Sequence, residues 1–121
     1  MCTEHPVFSP NHRDKVLVGE VGKRCEEVIS EICEDMGIEI IEMAVNVDHV
    51  HLFIEYPPKY SMSDIANRIK GKSSRILRME FPHLVKWCSR GLWAPSCFHG
   101  SVGHGTDVVK KYVSSQKPRR R

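Results

Sequence analysis

Apolar residues between Val18 and Met36 recur at intervals of three and four: Val21, Cys25, Val28, Ile29, Ile32, Cys33 and Met36. That period puts them on one face of an α-helix, and Gly37 is suited to stop it. The pattern then changes. Ile38 to Val45 is rich in β-branched and apolar residues and predicts a strand. Asn46-Val47-Asp48 is a turn signal, and His49 to Tyr56 predicts a second strand folding back as a hairpin. Pro57-Pro58 ends it. Ile65, Ile69, Ile76 and Leu77 mark the buried stripe of another helix, capped by Ser61 or Ser63 and running to about Glu80. Pro82 is its stop.

The remaining segments are less regular. Val7-Phe8 is bracketed by Pro6 and Pro10, which allows an edge strand at best. Trp87 to Pro95 reads as a loop and Ser96 to Val102 as a strand. Gly103 and Gly105 form a flexible joint, Thr106 can cap, and Asp107 to about Gln116 is a last helix. The order is β-α-β-β-α-β-α, an α+β chain. Its first six elements match a ferredoxin-like split sandwich, one antiparallel sheet with two helices on one face. The final helix is an addition. There is no internal repeat or linker, so residues 1–121 read as one domain ending in a basic tail at 118–121.

Composition narrows the setting. A chain of 121 residues suits one domain with a modest core. No apolar run is long enough for a transmembrane helix, and Met1 to Pro10 lacks the layout of a signal peptide. A cytoplasmic protein is the expectation. The five cysteines (Cys2, Cys25, Cys33, Cys88 and Cys97) are odd in number, and none are spaced as a zinc knuckle. Cys25 and Cys33 fall on the apolar helix face, as core residues.

Charge is unevenly spread. From Arg13 to Glu42 nine acidic residues face four basic ones. From Lys59 to Arg90 eight basic residues face only Asp64 and Glu80, and Lys117 to Arg121 adds four more. The basic half is a candidate surface for a polyanion. Arg68, Lys70, Lys72, Arg75 and Arg78 fall on the second helix and could hold phosphates without reading sequence.

The candidate chemistry begins at Asp48-His49-Val50-His51. Strand side chains alternate, so His49 and His51 share a face, about 7 Å apart along the strand. Two imidazoles so placed can grip one metal ion, but a third ligand is required. Spacing alone equally allows two satisfied polar residues. Tyr112 and Gln116 lie four apart on one face of the last helix, beside Lys110 and Lys111. A glutamine carbonyl is a hard oxygen ligand, compatible with Mg²⁺ or Mn²⁺. A tyrosine hydroxyl becomes a feasible nucleophile when a metal and cations neutralise a phosphate. His99 and His104, which flank glycines, read as incidental.

Together these residues resemble the single-tyrosine HUH transposases of the insertion-sequence 200/605 type, HUH meaning His-hydrophobic-His. The marks are Asp48-His49-Val50-His51-Leu52, Ile69-Lys70-Gly71-Lys72-Ser73-Ser74-Arg75, Leu92-Trp93-Ala94-Pro95 and Tyr112-Val113-Ser114-Ser115-Gln116. The resemblance runs from about His5 to Gln116. It implies that His49, His51 and Gln116 hold a divalent metal and that Tyr112 attacks a single-stranded DNA phosphate, leaving a 5′-phosphotyrosine and a free 3′-hydroxyl. It further implies homodimers, recognition of hairpins at the ends of an insertion element, and a tyrosine helix able to serve either subunit. The chain departs from the family in a shorter first strand, interrupted by Pro6, and in little chain beyond Gln116. A module that binds hairpins but forms no covalent adduct is the open alternative.

Overall fold

The computed structural model describes residues 1–95. The predicted strand at Ser96 to Val102, the glycine joint, the last helix and the basic tail lie outside the described residues. The elements are β1 (Cys2–Glu4), β2 (Val7–Phe8), α1 (Gly19–Met36), β3 (Glu39–Asn46), β4 (His49–Tyr56), α2 (Met62–Glu80) and α3 (His83–Trp87). They form an α+β fold of one antiparallel sheet with helices packed on it.

The strongest sequence patterns become the longest elements. Helix α1 buries every position of its predicted stripe and ends where Gly37 takes φ 72°, its N–H reaching the carbonyls of Cys33 and Glu34. Left-handed backbone at that point is free of strain only for glycine. Cys25 and Cys33 lie fully inside, and burial pushes both thiols up to about 12. Helix α2 begins at a reciprocal cap. Asp64 N–H donates to Ser61 Oγ at 3.0 Å, and the Ser61 N–H donates to the Asp64 carboxylate at 3.1 Å. Ser61, not Ser63, is therefore the capping residue. The buried stripe of α2 is Ile65, Ile69, Ser73 and Leu77, and Ile76 is only half-buried. Ser73 tolerates burial because its Oγ donates to the Ile69 carbonyl and accepts from Trp93 Nε1, the latter at 2.9 Å.

Strand β4 is the centre of the sheet. It pairs with β3 along one edge, with a bulge at Ile41, and with both β1 and β2 along the other. The first strand thus starts earlier than the proline bracket predicts, and it is broken at His5-Pro6. Pro6 has no N–H to give, but its carbonyl accepts from Leu52 N at 3.0 Å, so the edge stays attached. Val50, Leu52, Ile54 and Tyr56 face the helices and join one core with α1, α2 and Leu84. Arg24 crosses from α1 to α2, its guanidinium donating to both Glu80 oxygens at 2.8 and 3.1 Å.

Residues 87–95, a loop by sequence, are more ordered. Trp87 closes α3, and Trp93 bridges Pro10 in antiparallel fashion. Ala94 N donates to Ser9 O at 2.8 Å and Asn11 N to Leu92 O at 2.9 Å. This segment extends the β1–β2 edge just before the described residues end.

Candidate metal and nucleic-acid site

The two-residue turn Val47-Asp48 sets the register of the β3–β4 hairpin, pairing Asn46 with His49 and Ala44 with His51. Residues directly opposite share a face, so His49 and His51 lie together on the sheet face away from the core. Each is only 2% exposed. Val50, between them, is fully buried on the helix side.

His49 is held at both nitrogens. The Asp48 carboxylate accepts from Nδ1 at 2.9 Å, and Asn46 Nδ2 donates to Nε2 at 3.0 Å. A carboxylate only accepts, so the proton sits on Nδ1 and the lone pair on Nε2. An imidazole oriented by a carboxylate in this way is suited to metal ligation, once the Asn46 amide turns aside. His51 is held neutral: burial, then the neighbouring His5 and His49, push its pKa down to about 4. Its Nδ1 is buried without a hydrogen-bond partner among the described residues. Neutral imidazole with a spare buried nitrogen is what a metal ligand requires. The residues fit the group as far as two ligands go. Among the described residues no three His, Cys, Asp or Glu side chains converge to complete a site. Gln116, the expected third ligand, and Tyr112, the expected nucleophile, lie outside the described residues, as do Lys110 and Lys111.

His5 joins the pair on this face. It is 1% exposed, stacks on Phe53 with ring centroids 4.2 Å apart, and lies 6.4 Å from the His51 ring. His5 carried no local signal, and Asn46 was marked only as part of the turn, not as a neighbour of the histidines. Only the pairing register brings them beside the His pair.

The basic residues of α2 divide. Arg68, Lys72 and Arg75 line one open groove of about 610 Å³ with Met36, Tyr60, Asp64, Asn67 and Gly71. Lys72 approaches Asp35 at 3.9 Å. Lys70 and Arg78 stand outside the groove, and Arg78 Nη2 donates to Ser89 O at 2.9 Å. Tyr60, with Lys59 Nζ 5.3 Å from its ring centre, is a groove residue that the helix pattern does not flag. The groove belongs to the helix layer, and the histidines to the opposite sheet face.

An antiparallel sheet with a broken edge strand, helices on one face and paired imidazoles on the other is an architecture shared with solved transposases. A putative transposase from Deinococcus radiodurans shares the fold with a TM-score of 0.80 at 29% identity, over 94% of this chain and 89% of that one. A REP-associated tyrosine transposase, solved bound to a REP hairpin, matches with a TM-score of 0.65 at 16% identity, over 96% of this chain and 67% of that one.

The chain belongs to the family "Transposase IS200 like", whose model matches residues 1–116. It is 32% identical over 116 residues to the transposase of insertion sequence element IS200 from Salmonella typhimurium, covering 95% of this chain and 76% of that protein. It is 33% identical over 114 residues to the ISDra2 transposase TnpA of Deinococcus radiodurans, covering 93% and 81%. Family membership supports a DNA-cleaving and DNA-transferring enzyme. Among the described residues no helix is long and apolar enough to cross a membrane.

Proposed function

We propose that this transposase cleaves and rejoins single-stranded DNA at the ends of an insertion element through Tyr112. The observation that carries the reading is the buried pair His49 and His51, neutral at His51 and carboxylate-oriented at His49, on the central strand of an IS200-like chain. His49, His51 and Gln116 are the residues that would hold Mg²⁺ or Mn²⁺. When bound, the ion supplies Lewis-acid polarisation of the scissile phosphate.

The Tyr112 phenol loses its proton and its oxygen forms a bond to phosphorus. The bond from phosphorus to the 3′ oxygen breaks, and that oxygen takes up a proton as the free 3′-hydroxyl. The energy of the cleaved phosphodiester is kept in the 5′-phosphotyrosine, so another 3′-hydroxyl can reverse the step. Lys110 and Lys111 offset phosphate charge near the nucleophile. Arg68, Lys72 and Arg75 offer a groove for hairpin phosphates, and Lys70 and Arg78 of the same helix add positive charge outside it. We read the working unit as a homodimer in which Tyr112 of one subunit can complete the His pair of the other.

The test is a denaturing gel of the protein with labelled single strands from the flanks of its own coding region, in Mg²⁺ or Mn²⁺. A covalent band is expected. Tyr112→Phe should abolish it while hairpin binding persists, and His49→Ala should cut cleavage by at least about 100-fold, since losing even an outer partner of a metal ligand costs about 10–100-fold. Adducts that persist without the phenol would sink the nucleophile. A parent that binds hairpins and forms no adduct would mark a binding module instead.

A further inference from the structure

The turn between β2 and α1 contains two strained residues in succession. His12 and Arg13 sit at φ 61° and φ 53°. Left-handed backbone crowds any residue that carries a Cβ, and glycine at either position would relieve it. Instead two large polar side chains stand there, both exposed. Strain held in place by its surroundings points to a use for what it displays.

The surroundings do hold it. Arg13 N donates to Pro10 O at 2.8 Å, Asn11 Nδ2 to Gly91 O at 3.1 Å, and Trp87 Nε1 to an Asp14 carboxylate oxygen at 2.8 Å. On its other side, Leu17 N donates at 3.0 Å to Val47 O, inside the β3–β4 turn. Phe8 pairs with Val50, so the chain beyond Phe8 runs past the His49 end of β4. The strained turn therefore borders the end of the sheet that carries Asp48 and His49.

Its charge is one-sided. Arg13 and Lys86, with Arg90 on the same cross-tied segment, are exposed and form no ion pair with a described carboxylate. Asp14, the one acid on the turn, is drawn back to the Trp87 indole.

We propose that the His12-Arg13 turn is a phosphate clamp that seats the single strand beside the His49–His51 site. Arg13 makes the principal contact, and Lys86 and Arg90 supply the surrounding field. The clamp rests on the reading of this chain as a single-strand DNA enzyme. A guanidinium matches a phosphate through two parallel hydrogen bonds, and a rigid turn fixes where that fork points. Such a contact positions the strand without reading its bases. It is also distinct from the α2 groove, which lies in the helix layer.

The test uses the full-length protein with a fluorescent oligothymidylate, titrated over a range of salt, alongside melting curves. Arg13→Gly should melt no lower than the parent, because strain is relieved. It should bind the oligonucleotide about five- to tenfold more weakly at low salt, and the slope of log affinity against log salt should drop by about 0.7, the share of one single-strand phosphate contact. Arg13→Gln should lose the same slope, and Arg13→Lys should restore it; these two keep a side chain at the turn should the glycine variant fold poorly. Parental affinity and slope in Arg13→Gln would overturn the clamp. The adduct assay on the parent with its flanking strands separates the two ideas. An adduct with unchanged Arg13 variants defeats the clamp alone, and no adduct with weakened Arg13 variants defeats only the catalytic reading. A parent that binds no single strand defeats both.

Discussion

At Gly22 a methyl group has nowhere to go. A Cβ built there would stand 2.7 Å from the Leu17 carbonyl oxygen, which is backbone, on a residue whose own N–H is tied to the Val47 carbonyl. At Gly71, also helical, a Cβ meets nothing within 4 Å. The same substitution should therefore take opposite signs. Gly71→Ala is expected to stabilise by about 0.5–1 kcal/mol through helix propensity. Gly22→Ala is expected to destabilise by about 1–3 kcal/mol through overpacking. Urea denaturation of both variants checks this, and a Gly22→Ala protein as stable as the parent would contradict the close approach. Single residues were legible where a period or a turn signal constrained them. His49 and His51 share a face because strand side chains alternate, and the turn before them fixes which face. His5, the contact of Asn46 with His49 and the strained His12-Arg13 pair were not legible, because they depend on register and on loop closure.

The elements read from periodicity agree closely with the observed ones. The helix predicted from Val18 to Met36 forms as Gly19–Met36, and the strand from His49 to Tyr56 forms over those residues. The weak signals fared less well. A two-residue strand at Val7-Phe8 gains a partner segment at Cys2–Glu4, because β4 offers a full unpaired edge that both can use. The expected loop at 87–95 is organised by long-range bonds to Pro10 and Ser73, which no local pattern announces. The α2 start was ambiguous in sequence between two serines, and the Asp64 carboxylate three residues on decides for Ser61. Ser61→Ala should cost about 1 kcal/mol in the same denaturation assay, whereas Ser63→Ala should have no comparable effect. Equal losses at both positions would argue against the cap.

For the whole molecule, the α+β class and the shared face of His49 and His51 followed from sequence, while the opposed placement of histidines and basic groove did not. Faces of different elements can be compared only after they pack. The same packing puts Cys25 and Cys33 in the interior of α1 with thiols pushed up to about 12, while Cys2 and Cys88 remain partly accessible. Only thiolate reacts with an alkylating reagent, and neither interior sulfur forms it at neutral pH while the helix is seated. The chain thus carries its own gauge of opening. With iodoacetamide at neutral pH, modification of Cys25 and Cys33 should scale with the fraction of time α1 is lifted from the sheet, and peptide mass mapping over time would read that opening equilibrium against Cys88. Labelling of the two as fast as Cys88 in the native protein would mean that α1 is not held as described.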